Sequence, residues 1–337
     1  MKLKLHSFDL PLKETFTISR ESHDVQPTLV VELSDGIHSG FGEATSNPYY
    51  NATIPDMIAA IEGHRQAIES FDFRDPASFW QSLQPLFAEN PFPLCAIDQA
   101  AHDLWGKGQG KSVLSLWGLS SERIPDSNYT IGIAGIDEMV AKLKATPGWP
   151  IYKIKLGTDN DIEIVAELRK HTDAVFRVDA NCGWTVDDAI RYSHDLKELG
   201  VEFIEQPLPA DQRLDQKRLH NESALPLVAD ESCISEQDVA ECEGLFHGIN
   251  IKLVKCGGLT PARRMIDDAR QRGLKTMVGC MTESTVGISA IAQLLPLLDY
   301  VDMDGAALLK QDIATGVRVE KGKCIYPDTE GHGVALI

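Results

Sequence analysis

Eight short β-rich runs follow one another after about residue 127, and each is followed by an amphipathic stretch before the next begins. Ahead of them, residues 1 to about 118 mix strand-like and helix-like periodicity, and residues 313–337 turn strand-like again with no helix behind them. Strands alternating with helical patterns signal parallel βαβ units, and eight such units are the number that closes a barrel. The sequence therefore predicts an α/β fold: a (β/α)8-type, modified TIM barrel over 119–312, an N-terminal α+β capping domain over 1–118, and a C-terminal tail that returns to complete the capping domain.

The capping domain opens with two alternating segments, "KLKLHSFDL" and "PTLVVELSDGIHSGFGEA", joined through "PLKETFTISRESHDVQ". Asp35 and Gly36 supply a hairpin signal inside the second. From about residue 52 the apolar spacing becomes three and four, in "TIPDMIAAIEGHRQAIESF", "DPASFWQSLQPLF" and "PLCAIDQAAHDLWGKGQG", with Gly or Pro at the ends, as helices require. The eight barrel runs are then "NYTIGIAG", "YKIKLG", "VFRVDAN", "VEFIEQP", "LPLVADES", "GINIKLVKCGG", "LKTMVGCM" and "YVDMDG".

The chain has 337 residues and a formal charge of -18, and no local run of Lys and Arg offsets that balance. Such a surface repels phosphate backbones and anionic bilayers, which sets nucleic acid and membrane partners aside. No stretch of 18 uninterrupted apolar residues occurs, the start lacks the apolar run of a signal peptide, and a cytoplasmic location is expected. Seven cysteines with no C-x-x-C pair suggest reduced thiols, neither a disulfide framework nor a zinc ribbon. "GKGQGKS" lacks the first glycine of a phosphate-binding loop, because Trp105 stands there, and it follows a helical pattern. A small-molecule substrate is the expected partner, and a homo-oligomer stays open.

In a barrel of this kind the chemistry sits where strands end. The polar residues closing the runs are Lys155, Asp179, Glu205, Asp230, Lys252 and the pair Asp302 and Asp304, spaced by one βα unit from Lys155 to Lys252. Asp179, Glu205 and Asp230 thus fall at equivalent heights on neighbouring strands. One such acid could cap the next helix. Three in register would repel one another unless a cation sat between them, and oxygen-only ligation favours Mg²⁺, one per subunit. Lys155 and Lys252 flank the trio. Burial beside a divalent cation and a second Lys lowers a lysine's pKa, so that it can take the proton from carbon next to a carboxylate whose enediolate the metal stabilises. Lys255, three residues past Lys252, is expected on the other face of the strand in a structural role.

Together these residues resemble the enolase superfamily, and within it the muconate lactonizing subgroup. The pattern there is K-x-K on the second strand, here "KIK"; metal ligands ending the next three, here "VDAN", "EQP" and "ADES"; and a Lys on the sixth, here "NIKLVKCGG". "GFGEA", "AIDQAAHDLWGK" and the returning tail also look like their family counterparts. The resemblance implies Mg²⁺ held by Asp179, Glu205 and Asp230, with Lys155 and Lys252 as the acid/base pair. It also implies that Lys153 binds the substrate carboxylate. "DMDG" matches the D-x-D of dipeptide epimerases, which gives Asp302 and Asp304 to the substrate's free ammonium, with Thr130 and Cys280 lining the dipeptide pocket. Arg20, in "TFTISRES", falls where relatives acting on Ala-Glu place an Arg against the Glu side chain, although Glu21 beside it suits a basic or neutral side chain. The implied activity is dipeptide epimerisation, with L-Ala-D/L-Glu as the expected substrate. N-acylamino acid racemase, o-succinylbenzoate synthase and muconate cycloisomerase share the lysine pair and stay open as alternatives.

Overall fold

A computed structural model of the chain describes residues 1–19 and 21–337. The N-terminal sheet has three antiparallel strands, β1 (Lys2–Ile18), β2 (Glu21–Ser34) and β3 (Ser39–Thr45). The connector "PLKETFTISRESHDVQ" is largely strand: after a register shift between Pro11 and Phe16 the ladder resumes with Phe16 opposite His23 and Ile18 opposite Glu21. Arg20, expected in this loop, lies outside the described residues. Phe16, Ile18, Glu21 and His23 all face one pocket at the mouth of the barrel, because alternate residues of paired strands share a face. Ser19 Oγ donates to the Asn181 carbonyl (3.2 Å), which ties the hairpin tip to that mouth.

Helices follow as the spacing predicts, at Ile54–Gly63, Arg65–Ser70, Pro76–Leu83 and Pro91–Gly108. The last lies directly on β3. A Cβ at Gly40 or Gly42 would collide with the carbonyls of Ala100 and Ala96, so the glycines of "SGFGEA" set how closely helix and strand approach. Between those glycines and the barrel stands Glu43. Its carboxylate accepts from Ser284 N (3.1 Å), Ser284 Oγ (2.5 Å) and Gly287 N (3.0 Å), at the start of the barrel helix Thr285–Ala292. Those amides have no partner within their own helix.

The barrel strands are β4 (Tyr129–Ile131), β5 (Ile151–Lys155), β6 (Val175–Asp179), β7 (Val201–Glu205), β8 (Leu227–Ala229), β9 (Gly248–Ile251), β10 (Lys275–Gly279) and β11 (Tyr300–Asp302). All pair in parallel and in sequence order, and a bridge between Ser127 and Val301 brings the two ends together. All five residues of β5 are buried, since its outer face meets helices and its inner face fills the barrel. The run "GINIKLVKCGG" is only half strand: after Ile251 the backbone turns into a single helical turn, Leu253–Cys256. In the tail, Ala314–Thr315 pairs with Ala335–Leu336, His332 N donates to Asp103 (2.7 Å), and Lys107 Nζ donates to the Val334 carbonyl (3.0 Å). The tail therefore rests on the helix Pro91–Gly108. Among the described residues no helix is long and apolar enough to cross a membrane, and no disulfide joins any two cysteines.

Candidate active site at the barrel mouth

Strand alternation carries Lys153 and Lys155 to the inner face of β5, and each strand end then brings its acid to the same height. Lys155 pairs in register with Asp179, and Asp179 with Glu205. The chain then leaves the regular strand: Asn181, Cys182 and Gln206 hold positive φ (43°, 66° and 35°), conformations that side chains rarely adopt and that cluster at functional sites. The turn at Gln206 has a visible use. Gln206 Oε1 accepts from the backbone amides of Asp230 (2.9 Å) and Ser232 (3.0 Å), which fixes the end of β8 against the end of β7.

Asp179, Glu205 and Asp230 are buried, with ligand oxygens within 4.8 Å of one another. Lys153 Nζ lies 3.1 Å from Asp179 Oδ2, 2.8 Å from Glu205 Oε2 and 2.8 Å from Asp302 Oδ2. Lys155 Nζ donates to Asp179 Oδ2 (2.6 Å) and Lys252 Nζ lies 3.0 Å from Asp230 Oδ2. The two lysines thus reach the outer members of the trio from opposite ends. The donor set fits a hard divalent cation: three carboxylates converge, and Glu205 Oε2 takes no hydrogen bond among the described residues despite its ion pair to Lys153.

Electrostatics divide these groups. Burial, then the nearby Asp179, pushes Glu205 up to about 7. Burial also works against the charged forms of Asp179 and Asp230, but Lys155 with Lys153, and Lys252 with Lys255, outweigh it and hold both below the usual carboxylate range. Burial opposes the Lys153 ammonium, yet Asp302, Glu205 and Asp179 raise its pKa well above the ordinary value. The expectation that Lys252 is depressed is not met by these protein groups alone. Burial lowers it, but the Asp230 carboxylate prevails and raises it. A divalent cation on Asp230 would set a positive charge where the lysine otherwise meets a negative one, and so reverse that contribution.

A second acid pair closes the opposite side. Asp302 Oδ1 accepts from Asn128 Nδ2 (2.8 Å), while Asp304 accepts from Thr130 N (2.6 Å) and Thr130 Oγ1 (3.1 Å). Burial, then Asp302, pushes Asp304 well above its usual value; burial acts on Asp302 too, but Lys153 holds it low. Cys280 Sγ lies within 4.8 Å of ligand oxygens of both acids, and its side chain lines the same pocket.

The structure thus gathers Thr130, Lys153, Lys155, Asp179, Glu205, Asp230, Lys252, Cys280, Asp302 and Asp304 around one space. It corrects the expectation for Lys255. Because the strand ends at Ile251, the helical turn swings Lys255 back to the trio, where its Nζ donates to Asp230 Oδ1 (2.6 Å) and to the Cys233 carbonyl (3.0 Å). Sequence reasoning also passed over Asn128, Asn181 and Asn250. Asn128 and Asn250 stand two residues before Thr130 and Lys252, and the period of two along a strand was signal enough to find them.

Comparison with known proteins agrees with this fold. Residues 136–337 match the family described as enolase C-terminal domain-like. The chain is 58% identical, over the full length of both, to the L-Ala-D/L-amino acid epimerase of Flavobacterium johnsoniae. It is 38% identical to the L-Ala-D/L-Glu epimerase of Bacteroides thetaiotaomicron, over 100% of this chain and 88% of that one. Among solved structures it is similar to the dipeptide epimerase from Enterococcus faecalis V583 complexed with Mg and L-Leu-L-Tyr. The TM-score is 0.93 at 29% identity, covering 99% of this chain and 98% of the other.

Proposed function

The chain belongs to the enolase superfamily through its enolase C-terminal domain-like segment, and on that premise we propose that it is a dipeptide epimerase inverting the C-terminal residue of L-Ala-X dipeptides, L-Ala-D/L-Glu among them. The observation that carries this reading is the pair Lys155 and Lys252, which grip the outer acids of one trio from opposite ends while a separate acid pair stands across the pocket. Residues 1–118 with the returning 313–337 act as one cap over the 119–312 barrel, and the acidic sequence with seven cysteines and no C-x-x-C pair suits a cytoplasmic setting.

Asp179, Glu205 and Asp230 would hold Mg²⁺, which would supply positive charge at the substrate carboxylate and make the neighbouring α-proton more acidic. Lys153, kept cationic by its acidic neighbours, meets the charge that grows on that carboxylate as the proton leaves. One of Lys155 and Lys252 removes the α-proton as a neutral amine, and the other, as an ammonium, delivers a proton to the opposite face. Their roles exchange with the enantiomer. Asp302 and Asp304 accept hydrogen bonds from the dipeptide's free ammonium and are themselves held by Asn128 and Thr130. Cys280 lines this end of the pocket. An acid pair at this place disfavours N-acylamino acid racemase, o-succinylbenzoate synthase and muconate cycloisomerase, whose substrates bring no ammonium.

The test is a panel of L-Ala-X dipeptides in D₂O with Mg²⁺, read by mass spectrometry. Each inversion should add one deuterium at the C-terminal α-carbon. If no dipeptide in the panel exchanges, the assignment falls.

A further inference from the structure

Asn250 sits on the inner face of β9, two residues before Lys252, with none of its surface exposed. Its Nδ2 donates to Glu205 Oε1 (2.8 Å), reaching past β8 to the end of β7. That is the one hydrogen bond Glu205 side-chain oxygens accept among the described residues; their other close partner is the Lys153 ammonium at Oε2. Asn250 Oδ1 is buried and has no hydrogen-bond partner among the described residues. An apolar side chain would avoid the cost of burying that oxygen, so packing alone does not account for an amide here. Space is also reserved for it. A Cβ at Gly279, on β10, would come within 2.6 Å of Oδ1 and 2.7 Å of Nδ2, so the amide keeps its place only while residue 279 lacks a side chain.

We propose that Asn250 is a positioning residue: its amide anchors Glu205 Oε1 and so fixes the carboxylate in the orientation that converges with Asp179 and Asp230, and Gly279 holds the amide in place by leaving it room. Without the amide, Oε1 loses its donor and the carboxylate, held only through Oε2 at Lys153, is free to swing out of that orientation. The affinity for the divalent cation then depends on a side chain outside the three acids. This rests on the reading of those acids as the Mg²⁺ site.

The experiment is calorimetric titration of the protein with Mg²⁺ alone, beside the melting temperature without added metal. Asn250→Ala should raise the Mg²⁺ Kd roughly 10- to 100-fold, the range typical of partners that orient metal ligands. Gly279→Ala, which keeps the amide but displaces it, should raise Kd in the same direction, and it carries the test if Asn250→Ala does not fold. In the double variant the Gly279 change should add little to the Asn250 change, because both act on one contact. A Kd within about twofold of the unaltered protein in a folded single variant, or penalties that simply multiply in the double variant, would overturn the proposal. No Mg²⁺ binding by the unaltered protein would instead overturn the metal reading of the trio.

Discussion

Two carboxylate clusters face each other across the barrel mouth, both built from acids that close parallel strands, and they are neutralised in different ways. Around Asp179, Glu205 and Asp230 the counter-groups are ammoniums: Lys153, Lys155, Lys252 and Lys255 all lie within 3.1 Å of a trio oxygen. Around Asp302 and Asp304 they are mostly neutral donors, Asn128 and Thr130, with Lys153 alone among the described residues reaching Asp302. The first cluster concentrates charge of both signs, which suits a divalent cation together with bases whose pKa that cation controls. The second is left short of positive charge, which suits the single ammonium of a peptide N-terminus.

The largest effect should come from breaking the first cluster's lysines. Lys155→Ala and Lys252→Ala should each lower epimerisation by about 10²- to 10⁴-fold, with α-proton exchange in D₂O surviving for one enantiomer only and a different one in each variant. Full activity in either variant would refute the two-base reading. Glu205→Gln removes a ligand instead of a base, and the Mg²⁺ Kd measured by calorimetry should rise by at least about 100-fold, the upper end of what outer partners cost. Asp302→Asn tests the other cluster. It should reduce kcat/KM for L-Ala-X dipeptides by roughly 10- to 100-fold, the value of a hydrogen bond to a charged group. Rates on N-acylated amino acids should change far less, and equal losses on both would remove the ammonium role.

A pH titration separates the clusters without mutation. Glu205 is pushed up to about 7 in the fold from an ordinary 4.5. Between those values the folded chain holds a proton that the unfolded chain has released, so as pH rises through that window the metal-free fold loses stability. The same proton competes with Mg²⁺. The rise in melting temperature on adding Mg²⁺ should therefore be larger at pH 8 than at pH 6, and a shift independent of pH would contradict the assignment of Glu205. The smallest change concerns an acid that belongs to neither cluster. Glu43 is buried with backbone and hydroxyl donors in place of lysines, so Glu43→Ala should cost about 1–3 kcal/mol of stability while leaving the Mg²⁺ Kd unchanged.

Much of this was legible in the chain as written. Eight β-rich runs became eight parallel strands, and the regular spacing of Lys155, Asp179, Glu205 and Asp230 placed them at one height because each βα unit returns the chain to the same rim. Periodicity also put Lys153 beside Lys155 and Asp302 near Asp304. These are local properties: a strand has a period of two, and residues that obey it can be assigned to a face without knowing what they meet. Lys255 and Asn250 show where that reasoning stops. Lys255 reaches Asp230 because the backbone turns helical after Ile251, a change that three residues of sequence do not announce. Asn250 could be placed on the inner face, but its partner Glu205 is 45 positions away and its space depends on Gly279 across another strand. The sequence by itself determined which strand-borne side chains enter the barrel. Which of them hold one another, and with what charge, depended on distances between residues far apart in the chain, and those exist only once the strands have closed.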